Sequence, residues 1–226
     1  MTLDVVPLKI CELRKRGLYW RELDPKQSTE FTYCRFFVPY LNEYNGWALF
    51  CDDDFLWLGD VAELFSLCDD RFALMCVKHD YCPKSNSKLG GKIQETYPRK
   101  NWSSMMLINC SHPANAALDL RVVNSQPGSY LHRFSWLEDD LIGGVNYEWN
   151  FLVGWHERLP GSLPKAIHYT EGGPWFPDYR EVDYAEEWFT HMTLYEKSLQ
   201  RPRELCPNEL FTLKGRDPLL GYVNSK

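Results

Sequence analysis

The run Leu49-Phe50-Cys51-Asp52-Asp53-Asp54-Phe55-Leu56-Trp57-Leu58 constrains this chain more than any other segment. An apolar stretch ends in three consecutive aspartates, and apolar residues resume at once. Adjacent carboxylates repel each other and are depleted from strands, so they favour loops and strand ends. A buried strand that delivers them to its C-terminal end needs a compensating charge. A hard divalent cation, Mg²⁺ or Mn²⁺, is the simplest source, because such ions take carboxylate oxygens and often share them with phosphates. Asp52 and Asp54 can reach one ion if the backbone turns at Asp53. The plainer reading is a solvated acidic turn. The apolar Trp47-Ala48-Leu49-Phe50-Cys51 that leads into it favours the strand end.

A length of 226 residues fits one large domain or two small ones, and a 44% hydrophobic content can bury a substantial core. Nine Trp and thirteen Tyr leave some aromatic faces for a pocket, although most large aromatics are core. A net charge of −6 argues against a nucleic-acid backbone as partner, and leaves nucleotide binding through a metal open. Cysteines stand at 11, 34, 51, 68, 76, 82, 110 and 206 with no C-x-x-C. They read as reduced, buried thiols of a cytosolic-type protein. No signal peptide and no apolar stretch of membrane-spanning length is found, so the expectation is a cytoplasmic chain without a membrane span. The sequons Asn101-Trp102-Ser103 and Asn109-Cys110-Ser111 mean little without secretion.

Leu3 to Ile10 suits a first strand, and Cys11 to Gly17 a short helix closed by Gly17. Ser28-Thr29-Glu30 offers helix-start chemistry before Phe31, Arg35, Phe36, Val38 and Leu41, with Pro39 at a kink or near the end. Trp47 to Cys51, Phe72 to Val77 and Met105 to Asn109 read as strands, and Asp60 caps the helix that starts at Val61. Ala114 to Leu118 and the region around Trp136 to Ile142 read as helical. Pro83 to Arg99, Lys-rich with Gly90-Gly91, reads as an exposed loop that can close over a site. Strands alternating with helices imply an α/β class with a mainly parallel sheet, whose ligands bind beyond the carboxyl ends of the strands. The expected division is a domain over 1–200 and a surface tail over 201–226. No Walker-type loop, G-x-G-x-x-G or G-x-S-x-G occurs, which argues against a P-loop enzyme, a dinucleotide dehydrogenase and an α/β-hydrolase.

Three more segments carry usable chemistry. Arg99-Lys100-Asn101-Trp102-Ser103-Ser104 offers cations and short hydrogen-bonding groups before a strand, or is simply a polar loop. Trp136-Leu137-Glu138-Asp139-Asp140-Leu141-Ile142, followed by Tyr147-Glu148-Trp149-Asn150, holds carboxylates near an apolar wall, or exposes them on a helix. Ile167-His168-Tyr169, followed by Gly172-Gly173-Pro174-Trp175, has a histidine that is core or ligand, and a turn whose amides can approach an anion.

Taken together and in order, these segments resemble the GT-A glycosyltransferases, in particular the glycosyltransferase family 8-like group and its bacterial and viral relatives. The likeness spans roughly Leu3 to Trp188. It implies a GT-A, Rossmann-like mixed sheet flanked by helices. It implies a D-x-D motif at Asp52-Asp53-Asp54, metal ligands Asp52, Asp54 and His168, and a donor-contacting Arg35. Trp102, Ser103, Ser104, Asn109 and Trp175 would meet the substrate sugar, with Asp53, Gly172 and Gly173 near the donor nucleotide and Asp139 and Asp140 as the acidic active-site turn. The family often has a lysine where Gly173 stands, which moves phosphate binding to backbone amides or another lysine.

The resemblance implies transfer of a sugar from a nucleoside-diphosphate sugar, most simply a UDP-sugar, to a saccharide or other hydroxyl acceptor. Mn²⁺ or Mg²⁺ would assist, and the anomeric configuration would be retained. The family places a strand and helix before the run that resembles Leu3 to Ile10. The expectation is therefore an N-terminally short sheet with no strand on one side of the Asp52 strand. Self-association through that edge and weak nucleotide binding with little base selectivity would follow. A catalytically weak nucleotide- or sugar-binding remnant is the alternative. A metal-dependent phosphoesterase is disfavoured, because two-metal sites need more spread carboxylates and histidines.

Overall fold

The structure is a computed structural model that describes residues 3–22, 29, 31–80, 98–158, 160–200 and 223–225. The strands are β1 (Leu3–Val5), β2 (Trp47–Cys51), β3 (Phe55–Trp57), β4 (Leu74–Cys76), β5 (Met105–Asn109), β6 (Ile142–Gly144), β7 (Phe151–Leu152), β8 (Ala166–His168) and β9 (Val223–Ser225). The α-helices are α1 (Ile10–Lys15), α2 (Val38–Leu41), α3 (Val61–Phe65), α4 (Leu120–Ser125), α5 (Gly128–His132) and α6 (Ala185–Gln200).

Six strands form the main sheet in the order β1-β9-β2-β5-β4-β6, and three form a small sheet in the order β3-β8-β7. The apolar runs at 47–51 and 105–109 are strands because both of their faces are buried. Ala48, Phe50, Met106, Ile108, Leu74 and Cys76 face a cluster with Phe36, Phe37, Leu131 and Phe134. Their neighbours Leu49, Met105, Leu107 and Met75 face Leu64, Phe65 and Trp149. The period of two thus assigns each strand residue to one of two layers that cover the sheet. A third cluster of Phe151, Ile167, Tyr169 and Tyr184 forms the core of the small sheet.

The α/β class with a mixed sheet flanked by helices holds, but the expectation of mainly parallel pairing does not. Among the described residues, β2 with β5, β4 with β5, β2 with β9, β1 with β9 and β3 with β8 are antiparallel, and only β4 with β6 and β7 with β8 are parallel. The reason lies in the connections. β2 turns through the aspartates into β3 of the other sheet, and β5 enters between β2 and β4 running against both. The gap expected beside the Asp52 strand is also corrected. β9 takes that place, with Ala48 opposite Asn224 and Leu49 opposite Val223, and β1 forms the edge beyond it. Residues 223–225 therefore belong to the sheet rather than to a surface tail, while 201–222 lie outside the described residues, as does all of the expected loop from Pro83 to Arg99 except its last two residues.

Local signals read from the sequence recur with adjustments. Gly17 has φ +70 after α1, and Asp60 accepts a hydrogen bond from the amide of Ala62 at the start of α3. The helix expected over 31–41 breaks into a 3₁₀ turn at Cys34–Phe37 and α2, with Pro39 in the first turn, where its missing N–H costs nothing. Pro113–Ala117 and Asp139–Leu141 are 3₁₀ turns, and Ile142 starts β6 instead of ending a helix. Cys34, Cys76 and Cys110 are buried free thiols pushed up to about 12 by desolvation, whereas Cys11 is exposed, contrary to the expectation of burial.

Candidate metal centre

β2 ends at Cys51, and Asp52 continues its ladder by donating its amide to Ser104 O at 2.9 Å. The chain then turns, so that Asp53 points out to solvent and Asp54 enters β3. β3 pairs with β8 with Phe55 opposite His168, and the carbonyl of Asp54 accepts the amide of Tyr169 at 3.0 Å. Two residues far apart in sequence are thereby brought together. One ligand atom each from Asp52, Asp54 and His168 lies within 4.8 Å of the other two. His168 Nε2 is 3.2 Å from Asp54 Oδ1, and its ring stacks on Phe55 with centroids 4.4 Å apart.

A hydrogen-bond relay fixes which nitrogen of His168 faces the carboxylates. Ser104 Oγ donates to Asn101 O at 2.7 Å, so it accepts from Asn150 Nδ2 at 3.0 Å. That bond orients the Asn150 amide and turns Oδ1 to His168 Nδ1 at 2.9 Å. An amide oxygen only accepts, so Nδ1 carries the proton. Neutral His168 then presents a bare Nε2 lone pair to Asp52 and Asp54, the form in which histidine binds metals. Asn150 is fully buried and His168 only 2% exposed, so water does not compete for either contact.

Arg35 supplies part of the missing charge. It is buried, with Nη2 2.7 Å from Asp52 Oδ1, Nη1 3.2 Å from Asp52 Oδ2, and further bonds to Thr32 O and Ser103 O. Its guanidinium is spent on holding Asp52 and the two carbonyls. Oδ1 of Asp52 and Oδ1 of Asp54 are both sealed from solvent without an aligned hydrogen bond. Burial pushes the Asp52 carboxyl up, against the opposing pull of Arg35 and with a further push from Asp54. Burial also acts upward on Asp54, but His168 in its doubly protonated form, with a proton on Nε2 as well, holds it below the ordinary range through charge and a hydrogen bond. Two carboxylates and an imidazole lone pair with one arginine between them suit a divalent cation with mixed oxygen and nitrogen ligands. Asn150→Ala frees the ring of His168, and we expect Mn²⁺ affinity to fall about 10- to 100-fold, beyond the roughly 1–3 kcal/mol that the orphaned Nδ1–H costs the metal-free protein. Calorimetric titration of Mn²⁺ checks this, and unchanged affinity would rule out the relay.

The other expected residues fall in different places. Ser103 and Ser104 are buried beside the aspartates, with Ser103 Oγ 2.9 Å from His132 Nδ1. Trp102 donates to His79 O at 2.9 Å. Trp175 is partly exposed and packs on Tyr169 and Trp188. Asn109 is a correction. It pairs with Trp47 at the far end of β5, four positions or roughly 13 Å of strand from the pairing of Met105 with Cys51, and its side chain reaches Phe72 O. Asp139 and Asp140 form the turn that leads into β6; Asp139, 89% exposed, pairs with Arg99, whose guanidinium lies over the Trp102 ring. The amide of Gly172 donates to Tyr169 O and is not available to an anion, and a Cβ on Gly173 would strike the Trp175 ring at 2.0 Å. A Cβ at 173 would therefore force the exposed Trp175 ring to move.

Two groups went unread in the sequence. Asn150 lay in the quoted run Tyr147-Glu148-Trp149-Asn150, but its relay depends on tertiary contact. His79 follows β4 at the same sheet end as Asp52, is 8% exposed, and has neither ring nitrogen hydrogen-bonded. Burial, with His156 and His168 nearby, lowers it from 6.5 to about 3. The unfolded chain then binds a proton between these values that the folded chain refuses, so stability should drop as pH falls through this window. Urea unfolding of His79→Phe across pH 6.5 to 3 should show a shallower loss than the parent; equal slopes would overturn this.

No protein-family model matches the chain. Protein CDI of Arabidopsis thaliana is 50% identical over 198 residues, covering 86% of this chain and 76% of CDI. The chain belongs to the Protein CDI family. Among solved structures, the glycosyltransferase GlyE of Streptococcus pneumoniae TIGR4 superposes with a TM-score of 0.51 at 16% identity, over 79% of this chain and 49% of GlyE. Its apo form gives 0.49 at 16% identity, over 82% and 51%. This CDI-family chain thus carries a fold shared with a glycosyltransferase and spans about half the length of that enzyme. None of its described helices is long and apolar enough to cross a membrane.

Proposed function

We propose that this chain is a metal-dependent glycosyltransferase of the family 8 type. It transfers a sugar from a nucleoside-diphosphate sugar, most simply a UDP-sugar, to a hydroxyl of a saccharide or other acceptor with retention. The observation that carries the reading is the acceptor-only cluster of Asp52, Asp54 and His168 at a strand end of a fold shared with a glycosyltransferase. Asp52, Asp54 and His168 would hold Mn²⁺ or Mg²⁺. Such an ion supplies positive charge against the diphosphate that leaves as the glycosidic bond breaks. Arg35 fixes the Asp52 carboxylate, Asn150 and Ser104 fix the His168 ring, and Trp102 and Trp175 offer faces to the sugar.

The test is release of nucleoside diphosphate from a panel of UDP- and GDP-sugars, with Mn²⁺ and with the ion removed by a chelator. Mn²⁺-dependent release from at least one donor is expected. Nucleotide binding without release would favour the weak-binding alternative, and neither binding nor release would overturn the reading.

A further inference from the structure

Arg35 is aimed at Asp52 by two carbonyls, and neither belongs to a strand or an α-helix. Thr32 O, in the turn before Cys34–Phe37, accepts from Nε–H at 2.9 Å. Ser103 O, in the 3₁₀ turn Trp102–Ser104, accepts from Nη1–H at 2.7 Å. A guanidinium plane set by two turns is only as well aimed as the turns are fixed relative to each other.

One side chain ties them together. His132, the last residue of α5, places Nδ1 2.9 Å from Ser103 Oγ and Nε2 3.3 Å from Thr32 Oγ1. Hydroxyls donate as well as accept, so either neutral tautomer serves both contacts. The two residues whose carbonyls hold Arg35 are thus joined through their own side chains by one rigid ring. Thr32, Arg35 and Ser103 are all buried, so these bonds are not readily exchanged for water. The ring is itself held: it meets Phe36 edge-on at 5.1 Å and lies tilted against Tyr33 at 5.8 Å. Gly128, one turn before His132 on the same face of α5, permits this approach, because a Cβ there would lie 2.8 Å from the Tyr33 hydroxyl oxygen. A continuous set of contacts therefore runs from His132 through Thr32 and Ser103 to Arg35, and from Arg35 to Asp52.

We propose that His132 is a positioning residue for the metal centre: by holding Thr32 against Ser103 it fixes the Arg35 guanidinium on Asp52 and keeps that carboxylate turned toward Asp54 and His168. This rests on the metal-binding part of the transferase reading. Without the ring the two turns move independently. A guanidinium released from their carbonyls then swings across Asp52 and competes with the ion.

Two readouts on the full chain test this. The first needs no metal. The Arg35 Nε–H should give a slowly exchanging signal in heteronuclear NMR, assigned by its loss in Arg35→Met. His132→Phe, which keeps an aromatic ring beside Phe36 and Tyr33, should speed its exchange at least about tenfold. The second is calorimetric titration of Mn²⁺. His132→Phe should weaken binding about tenfold. In the Arg35→Met background the same change should alter it by less than about twofold, because the group through which it acts is gone. Thr32→Val combined with Ser103→Ala removes both hydroxyls, should reproduce both effects, and carries the test if His132→Phe does not fold. Unchanged exchange of the Arg35 Nε–H overturns the inference. So does unchanged Mn²⁺ affinity, or a loss that is equal with and without Arg35. If the parent binds no Mn²⁺, the metal reading falls by itself, and the Arg35 exchange alone decides whether His132 holds the guanidinium.

Discussion

Asp54→Asn is expected to lower Mn²⁺-dependent release of nucleoside diphosphate roughly 10²- to 10³-fold while the fold stays intact. The side chain of Asp54 is partly open at 28% exposure, and what it gives the fold is its backbone: the carbonyl that accepts the Tyr169 amide. Asparagine keeps that carbonyl and the side-chain shape. It removes one of the two negative charges facing His168 Nε2 and offers an N–H₂ group that cannot ligate a cation. Mn²⁺ binding should disappear from calorimetry at concentrations that saturate the parent, and circular dichroism should be unchanged. A fully active variant would remove the metal role from Asp54 and with it the proposed function's central observation.

Arg35→Met should be the most destabilising change at the site. It removes the partner of a buried carboxylate and leaves Asp52 next to Asp54, with the two further hydrogen bonds of Arg35 to Thr32 O and Ser103 O lost as well. Breaking a buried pair in this way costs about 3–5 kcal/mol. For a domain of this size that lowers Tm by about 10 °C. Mn²⁺ should raise the Tm of this variant more than that of the parent, because the ion then supplies the only strong counter-charge for Asp52. An unchanged Tm would show that Asp52 does not depend on Arg35. An equal rise with Mn²⁺ would show that the ion does not bind Asp52.

The strands most legible in the sequence were those with both faces buried. Trp47–Cys51 and Met105–Asn109 are continuous apolar runs, and their boundaries in the structure match the runs. The triad was legible for a different reason: an apolar strand ending in three aspartates is costly without a cation, and one histidine follows an apolar pair downstream. Pairing was not legible. An apolar run is the same read in either direction, so the orientation of β5 and the place of β9 beside β2 had to come from tertiary contact. The misplacement of Asn109 follows from that, since the end of a strand that faces a site depends on its direction. Asn150 was hidden because its function is to orient another residue, and His79 because its signal is a missing partner.

The two aspartates and the histidine do not belong to one sheet. Asp52 prolongs β2 of the large sheet, while Asp54 leads into β3 and His168 ends β8 of the small one. An ion held there would act as a rivet through a seam. If β3 slid along β8 by one residue, about 3.3 Å, His168 would leave Asp54 and the grip on an ion would be lost. Any occupant that levers the two sheets apart has to do work against the ion, and an ion that binds tightly locks the sheets against shear. With an ion bound as proposed, the alignment of the two sheets and the affinity for that ion would be one mechanical quantity, and a change in either would be felt by the other.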